Sequence, residues 1–238
     1  LIPYSAAFYS LPLTYSASEE LYICGLTLVN ASFIEVLDGD LQVSQSELTV
    51  IDLPRLRNIT GHVTIYDNDY LTEVTMPLLQ HVGDGLTINQ HRNLREVSMA
   101  SLEHIGGSLT ATENDFYQYT YSYYTSYGYP GYTYTYERPT FDLPALRTVE
   151  GDVSFSNNDY LGDVTMPALV SVGGRVYFYY NKYCDGDVDM SALESIGSDI
   201  YISYSPRYAQ SDAAQTFDFS RVLSVGSSVY FYYAVCSS

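Results

Sequence analysis

The chain has 238 residues, of which 46% are hydrophobic, and its 10 Lys and Arg stand against 28 Asp and Glu for a formal net charge of −18. This length and hydrophobic content suit one domain with a sizeable core. The excess negative charge argues against nucleic acid or an anionic membrane as a partner, because both would repel the chain.

The start of the chain is consistent with an extracellular protein. It begins at Leu1 rather than at an initiator methionine, and no apolar run approaches the roughly 20 residues of a membrane-spanning helix. We therefore expect a processed chain, secreted or held at the cell surface, with no membrane insertion.

Residues 1–25 form an apolar segment with prolines at positions 3 and 12, ahead of the regular part of the chain. We expect this segment to cover an exposed end of the fold that follows. It can do so in its own molecule or, if it is donated, on a neighbouring molecule.

Two triplets, which begin at Asn30 and Asn58, fit the acceptor pattern for N-glycosylation. Asn58 lies between Leu56 and Ile59, which the repeat described next points inward, so its side chain is predicted to face solvent. Both asparagines are candidate glycosylation sites.

An internal repeat with a period of about 23 residues follows. The segments "GHVTIYDNDYLTEVTMPLLQHVG" from residue 61, "DGLTINQHRNLREVSMASLEHIG" from 84 and "GDVSFSNNDYLGDVTMPALVSVG" from 151 align without gaps. Seven apolar columns recur in all three copies, and fainter copies start near Leu26, Leu41, Leu109, Val176, Ile200 and Val229. Agreement in seven columns by chance is improbable, so the repeat is real.

Each copy alternates apolar and polar residues in short runs, which is typical of strands rather than helices. One such coil cannot bury its own apolar columns, but copies stacked about 4.8 Å apart bury them continuously. The sequence therefore predicts an all-β fold, a parallel β-solenoid over residues 26–238. A proline column and an asparagine column mark its corners, and we expect the asparagines to take left-handed turn geometry and to bond to the coils above and below. The asparagine column contains Asn68, Asn114, Asn158 and Asn181.

Residues 117–140 interrupt the repeat between "GSLTATENDF" and "FDLPALRTVE". Ten of the residues from 117 to 136 are tyrosines, which mostly alternate with Thr, Ser and Gln, and residues 128–131 offer a turn. We interpret this insertion as a protruding β-hairpin with one aromatic face, while disorder remains the alternative. The tyrosines assigned to that face are Tyr117, Tyr119, Tyr121, Tyr123, Tyr132, Tyr134 and Tyr136.

Tyrosines also collect on the C-terminal half of the solenoid. The outward positions of the first strand of each coil run Thr27, Gln42, Thr64, Thr87, Thr110 and Ser154, and then Tyr177, Tyr201 and Tyr230, with Tyr179 and Tyr232 beside them. An exposed aromatic patch is typical of a contact surface. Its candidate partners are another subunit, a sugar ring, or the chain's own hairpin.

Three cysteines leave one thiol over if a single disulfide forms. Cys184 and Cys236 lie two coils apart, about 9.6 Å by strand spacing, which is too far for a bridge unless the coil between them is displaced. That coil carries an insertion, so Cys184–Cys236 is the expected intrachain pair. Cys24 is then free or joined to another chain.

No metal or cofactor site is predicted. His62, His81, His91 and His104 are assigned to different columns. Acidic clusters such as residues 67–69 and 185–189 match neither an EF-hand nor a nonapeptide calcium repeat, so we interpret them as solvated turn carboxylates, with calcium binding as the alternative. No catalytic motif is present, and a single lysine leaves no basic groove for an acidic sugar. We therefore expect a protein that is not an enzyme.

The unit V-x-G-x-V-x-I-x-x-N-x-x-L, as from Val149 to Leu161, resembles the receptor L-domain repeat of insulin- and EGF-receptor ectodomains, and it is similar to glycoproteins of fungal cell walls and spore surfaces. The resemblance covers about residues 20–235 and rests on core and corner positions. It implies an extracellular, right-handed solenoid used for binding or for surface structure.

The last predicted strand runs close to Ser238 without a predicted cap, which suggests an open end. Together these features favour a secreted, glycosylated assembly subunit of an extracellular filament or surface layer, whose partners are other copies of itself or another extracellular protein. The alternative is a receptor-L-like module that binds a glycan or protein ligand.

Overall fold

The structure, a computed structural model, describes residues 16–17, 21–24, 34–114, 119–126, 129–136, 140–181, 186–204 and 216–233. Every regular element in these ranges is a β-strand, and the strands stack in parallel as a β-solenoid whose coils mostly lie one repeat period apart in sequence. The predicted all-β fold class is thereby confirmed. The right-handed winding stays a prediction.

Three parallel sheets run along the solenoid, two of nine strands and one of six. Sheet 1 has nine strands: β1 (Ser16–Ala17), β3 (Val36–Leu37), β6 (Asn58–Ile59), β9 (His81–Val82), β12 (His104–Ile105), β17 (Thr148–Val149), β20 (Ser171–Val172), β23 (Ser195–Ile196) and β25 (Ser224–Val225). Sheet 2 has nine longer strands: β2 (Leu21–Cys24), β4 (Leu41–Ser44), β7 (Val63–Tyr66), β10 (Leu86–Asn89), β13 (Leu109–Thr112), β18 (Val153–Ser156), β21 (Val176–Asn181), β24 (Ile200–Tyr204) and β26 (Val229–Tyr233). Sheet 3 has six strands: β5 (Val50–Asp52), β8 (Glu73–Thr75), β11 (Glu96–Ser98), β16 (Thr140–Asp142), β19 (Val164–Thr165) and β22 (Val188–Asp189).

The apolar columns of the sequence form one continuous core. Val63 and Ile65 pair with Leu86 and Ile88 of the next coil, and all four side chains are buried. Since strand side chains alternate between faces, an in-register stack places every inward residue directly against the residue at the equivalent position of the next coil. Burying such a column stabilises the fold by about 1.5–3 kcal/mol per large aliphatic side chain.

The solenoid begins earlier than the predicted boundary at residue 26. Strands β1 and β2 already pair with β3 and β4, and Tyr22 rather than Thr27 occupies the outward position opposite Gln42. The reason is the length of the first coil, because the pairing of Leu21 with Leu41 makes this coil shorter than the period of the repeat. An alignment at a constant period therefore shifted this strand.

Close backbone stacking shapes the corner between sheets 1 and 2. A Cβ atom added to Gly106 would lie 2.0 Å from the carbonyl oxygen of Gly83 on the preceding coil. At the same corner, aspartate side chains accept hydrogen bonds from the backbone of the next coil. Asp152 Oδ1, for example, accepts a hydrogen bond of 2.7 Å from the Arg175 amide. Glycine is required at such a position because only it lets two coils approach this closely.

The insertion contains two further strands, β14 (Tyr119–Ser126) and β15 (Tyr129–Tyr136), which pair antiparallel. Residues 129–131 lie within β15, so the predicted turn does not include them, while Gly128 lies outside the described residues. The observed register pairs Tyr119, Tyr121 and Tyr123 with Tyr136, Tyr134 and Tyr132. That this pair of strands protrudes and presents an aromatic face stays a prediction.

Candidate functional site: a tyrosine surface and a corner cavity

The outer face of sheet 2 changes character along the solenoid. The outward column begins at Tyr22, continues with Gln42, three threonines and Ser154, and is again tyrosine on the last three coils. We define the tyrosine surface by its five members: Tyr177, Tyr179, Tyr201, Tyr230 and Tyr232. The structure thus brings together all five of the solenoid tyrosines that the sequence indicated.

The rings of the tyrosine surface pack against one another across coils. Tyr201 lies at the centre, with ring centroids 5.2 Å from Tyr177, 6.0 Å from Tyr230 and 5.7 Å from Tyr232. The pair Tyr177–Tyr201 is stacked with an interplanar angle of 26°. Each contact of this kind contributes on the order of 1 kcal/mol beyond the buried area.

Exposure of the tyrosine surface increases toward the last coil. Tyr230 and Tyr232 are 43% and 55% exposed, whereas Tyr177, Tyr179 and Tyr201 are half-buried. Burial, and then the neighbouring Tyr201 and Tyr179, raise the pKa of the Tyr177 hydroxyl above its usual value. The hydroxyl is therefore uncharged at neutral pH, and the surface offers a hydrogen-bonding group without a charge to desolvate.

Beneath one corner of the solenoid runs a buried ladder of side-chain hydrogen bonds. Its rungs are Ser46, Asn68, His91, Asn114, Asn158 and Asn181, all of them buried. A typical rung is Asn114, whose Nδ2 donates to the Ile88 carbonyl at 3.0 Å while its Oδ1 accepts from the His91 amide at 3.3 Å. The predicted bonds between coils are confirmed for the asparagine column.

Two features of this corner differ from expectation. The left-handed backbone conformation occurs at the residue before each rung rather than at the rung itself, with φ of 52° at Asp67 and 60° at Gln90. The turn therefore precedes the rung, whose side chain points inward. In addition, His91 is a rung of the ladder. The signal was present in the sequence, since His91 follows Asn68 by one period of the repeat.

The residues that flank the rungs line an open cavity of about 450 Å³ on the outside of this corner. They come from five coils: Asp67, Asp69, Gln90, Arg92, Glu113, Asn157, Asp159 and Tyr180. Arg92 Nε lies 3.3 Å from Asp69 Oδ1, and Gln90 Nε2 donates to Glu113 Oε2 at 2.9 Å. The walls therefore offer carboxylates, amides, one guanidinium and one phenol ring to a polar ligand.

Histidines were predicted to occupy different columns, and this is wrong for one pair. His81 and His104 are directly paired on adjacent strands of sheet 1, with ring centroids 6.2 Å apart. One period of the repeat separates them in sequence, as it separates Asn68 and His91. His104 Nδ1 lies 2.6 Å from Thr148 Oγ1, so this pair belongs to a hydrogen-bonded outer face of the sheet.

The remaining predicted site residues divide by location. Six tyrosines of the insertion lie on β14 and β15, whose side chains the structure does not describe: Tyr119, Tyr121, Tyr123, Tyr132, Tyr134 and Tyr136. Outside the described residues altogether lie Tyr117, Asn30, Cys184 and Cys236. Asn58 is half-buried on β6 and pairs with Val36 and His81, while Cys24 is exposed with a free thiol.

Within the residues that the structure describes, no group of three or more His, Cys, Asp and Glu side chains is arranged to hold a metal ion. A search of the same residues finds no helix with the length and apolarity needed to cross a membrane.

Comparison of the chain with known protein families, with curated proteins and with solved structures finds no match. The resemblance to receptor L domains therefore stays a prediction that rests on the repeat motif.

Proposed function

We propose that the protein is a non-catalytic structural subunit of an extracellular surface layer or filament, and that the tyrosine surface is its contact face. The observation that carries this proposal is the contiguous packing of five tyrosine rings, at 5.2–6.4 Å between neighbours, on an outer sheet face. Large exposed aromatic patches on soluble proteins commonly mark interaction sites. Tyrosine supports such contacts at a low cost in side-chain entropy.

The way the rings pack favours a protein partner over a sugar. The rings of Tyr177 and Tyr201 are stacked on each other across coils, so their flat faces are already partly occupied by neighbouring rings. A protein surface can add further aromatic or aliphatic groups to the edges and hydroxyls that remain. Another copy of this chain, or another extracellular protein, supplies such a surface.

Association is tested by light scattering and negative-stain microscopy of the purified protein over a range of concentrations. We expect assemblies that dissociate when Tyr177, Tyr201 and Tyr230 are replaced together by Ser, with the far-UV spectrum of the folded solenoid retained. A matched control replaces Thr64, Thr87 and Thr110, three positions of the same outward column, by Ser. A monodisperse monomer at high concentration, or equal behaviour of the two variants, contradicts the proposal.

Extracellular location and glycosylation are part of the same proposal. Asn58 lies on the outer side of sheet 1, between exposed Val36 and exposed His81, where a glycan would extend away from the core. Expression in a secreting eukaryotic host is expected to yield a glycoprotein whose mass falls on enzymatic removal of N-linked glycans. The variant Asn58→Gln is expected to lose part of that mass.

The corner cavity supports a second candidate function, the binding of a glycan. Its volume of about 450 Å³ lies within the range of small-ligand sites. Carboxylates and amides accept and donate hydrogen bonds to sugar hydroxyls, and Tyr180 offers a ring. Glycan-array binding that is lost in Arg92→Ala and kept in Arg175→Ala would support this function, while an array without hits contradicts it.

A further inference from the structure

His91 is the rung of the buried ladder that carries a titratable ring. Its Nε2 lies 3.2 Å from the Ile65 carbonyl oxygen, and its Nδ1 lies 3.3 Å from the Asn68 amide nitrogen. A carbonyl requires a donor and an amide N–H requires an acceptor. The neutral ring with its proton on Nε2 is therefore the form that satisfies both neighbours.

In this form the imidazole reproduces the bonds of an asparagine rung. Asn158, for example, donates from Nδ2 to the Ala111 carbonyl at 2.9 Å and accepts on Oδ1 from the Asn114 amide at 3.2 Å. Only the histidine can gain a second proton near neutral pH. A proton on Nδ1 removes the acceptor of the Asn68 amide and leaves the Asn68 carbonyl, at 3.4 Å, as the nearest replacement partner.

The surroundings of the ring oppose protonation. His91 has no exposed surface, and burial is the main cause that lowers its pKa from 6.5 to about 4. Asp67 and Asp69 on the preceding coil act in the opposite direction. Arg92 on the same coil pairs with Asp69, and Glu113 on the following coil is bonded to Gln90, so both charges are engaged at the surface.

We propose that His91 makes this corner of the solenoid acid-sensitive, because a protonated ring leaves the buried Asn68 amide without its acceptor and the coils that carry Asn68 and His91 separate locally. The same coils supply Asp67, Asp69, Gln90 and Arg92 to the cavity. Mild acid therefore loosens the wall of the cavity while the asparagine rungs farther along the ladder stay closed.

The sign and size of the effect follow from linkage. An opened corner exposes the ring, which then binds a proton with the ordinary midpoint near 6.5, whereas the closed corner binds it only near pH 4. The closed state is therefore fully favoured above pH 6.5 and loses stability as the pH falls from 6.5 toward 4. The difference between these two pKa values corresponds to an increase in the opened population of about 300-fold at most.

The test is amide hydrogen exchange of the whole protein between pH 7 and pH 4.5, corrected for the intrinsic pH dependence of exchange. We expect the opening of the Asn68 amide, which donates to His91 Nδ1, to rise by tens of fold toward pH 4.5. The Asn158 amide, which bonds to Asn181 Oδ1 at 3.0 Å, is the internal control and is expected to change little. The nitrogen NMR signals of the His91 ring are expected to report the Nε2–H tautomer throughout the folded state.

The matched variant is His91→Asn, which keeps the rung and removes the titratable ring. It is expected to abolish the pH dependence at Asn68. Equal pH dependence in the variant overturns the proposal, as does an equal rise at Asn158, which would mean that the ladder opens only with global unfolding. If the variant does not fold, the titration of the His91 ring in the folded wild-type protein, followed by NMR, is the deciding measurement. A midpoint near pH 6.5 overturns the proposal.

Discussion

Removal of one rung, Asn158→Ala, measures how much the buried ladder stabilises the solenoid. The Asn158 side chain accepts from the amide and the Nδ2 of Asn114, at 3.2 and 3.0 Å, and donates to the Ala111 carbonyl at 2.9 Å. Alanine leaves these three buried groups without that partner, and each unsatisfied group costs about 1–3 kcal/mol. We therefore expect a loss of about 3–9 kcal/mol, a large part of the roughly 5–15 kcal/mol that stabilises a typical domain.

The assay is equilibrium unfolding in urea, followed by far-UV circular dichroism and tyrosine fluorescence. The control is Ser154→Ala, a half-buried outer-face position on the same coil, for which a change within about 0.5 kcal/mol is expected. The reasoning would be refuted if Asn158→Ala lowered the free energy of unfolding by less than about 1 kcal/mol while its dependence on urea concentration stayed unchanged. That result would mean that water or backbone relaxation replaces the lost partners. The variant Asn158→Asp sharpens the test, since its carboxylate sets an acceptor against the Ala111 carbonyl and is tolerated better in acid, where it is protonated.

Three further predictions concern the packing of the coils and one ion pair at the surface. Gly106→Ala places a Cβ atom 2.0 Å from the Gly83 carbonyl oxygen and is expected to lower the midpoint of thermal unfolding strongly. The control Gly85→Ala, whose added Cβ has its nearest contact at 3.3 Å, is expected to lower this midpoint far less. Equal midpoints for the two variants would contradict the argument from close backbone approach. Phe155→Ala removes a ring whose centroid lies 5.1 Å from those of both Phe141 and Phe178. Unfolding in urea is expected to show that the free energy of unfolding falls by about 3–5 kcal/mol. A change near zero would count against a close-packed core. Arg175→Ala breaks a contact of 3.5 Å with Asp199 in which the arginine side chain is mostly exposed. The free energy of unfolding is expected to change by less than about 1 kcal/mol in the same assay because solvent screens the pair, and a larger loss would contradict this.

Much of the fold could be predicted because the repeat is local and regular. The alternation from Val63 to Ile65 indicates a strand, and its recurrence at a constant period indicates the register of the stack. The five residues of the tyrosine surface could be found in the same way, since they occupy the two outward columns of sheet 2. In-register stacking turns a spacing in the sequence into a contact in space.

The cavity could not be predicted by that route. Its wall is formed by residues on either side of the ladder rungs, such as Asp69 and Asn157, which lie on different coils with the insertion between them in sequence. Whether they surround a space depends on how sharply each corner turns, and the left-handed backbone at Asp67 and Gln90 sets that turn. The first coil was misplaced for a related reason, because it is shorter than the repeat period of about 23 residues.

The sequence by itself determined the stacked coils, the buried apolar columns and the tyrosine columns, since all three follow from side-chain alternation and a constant period. The tertiary structure alone decided which atoms of neighbouring coils the His91 ring bonds to and that polar side chains from five coils meet at one cavity. The physical reason is that alternation fixes which face of a strand a residue occupies, whereas corner geometry fixes which atoms of neighbouring coils come within bonding distance.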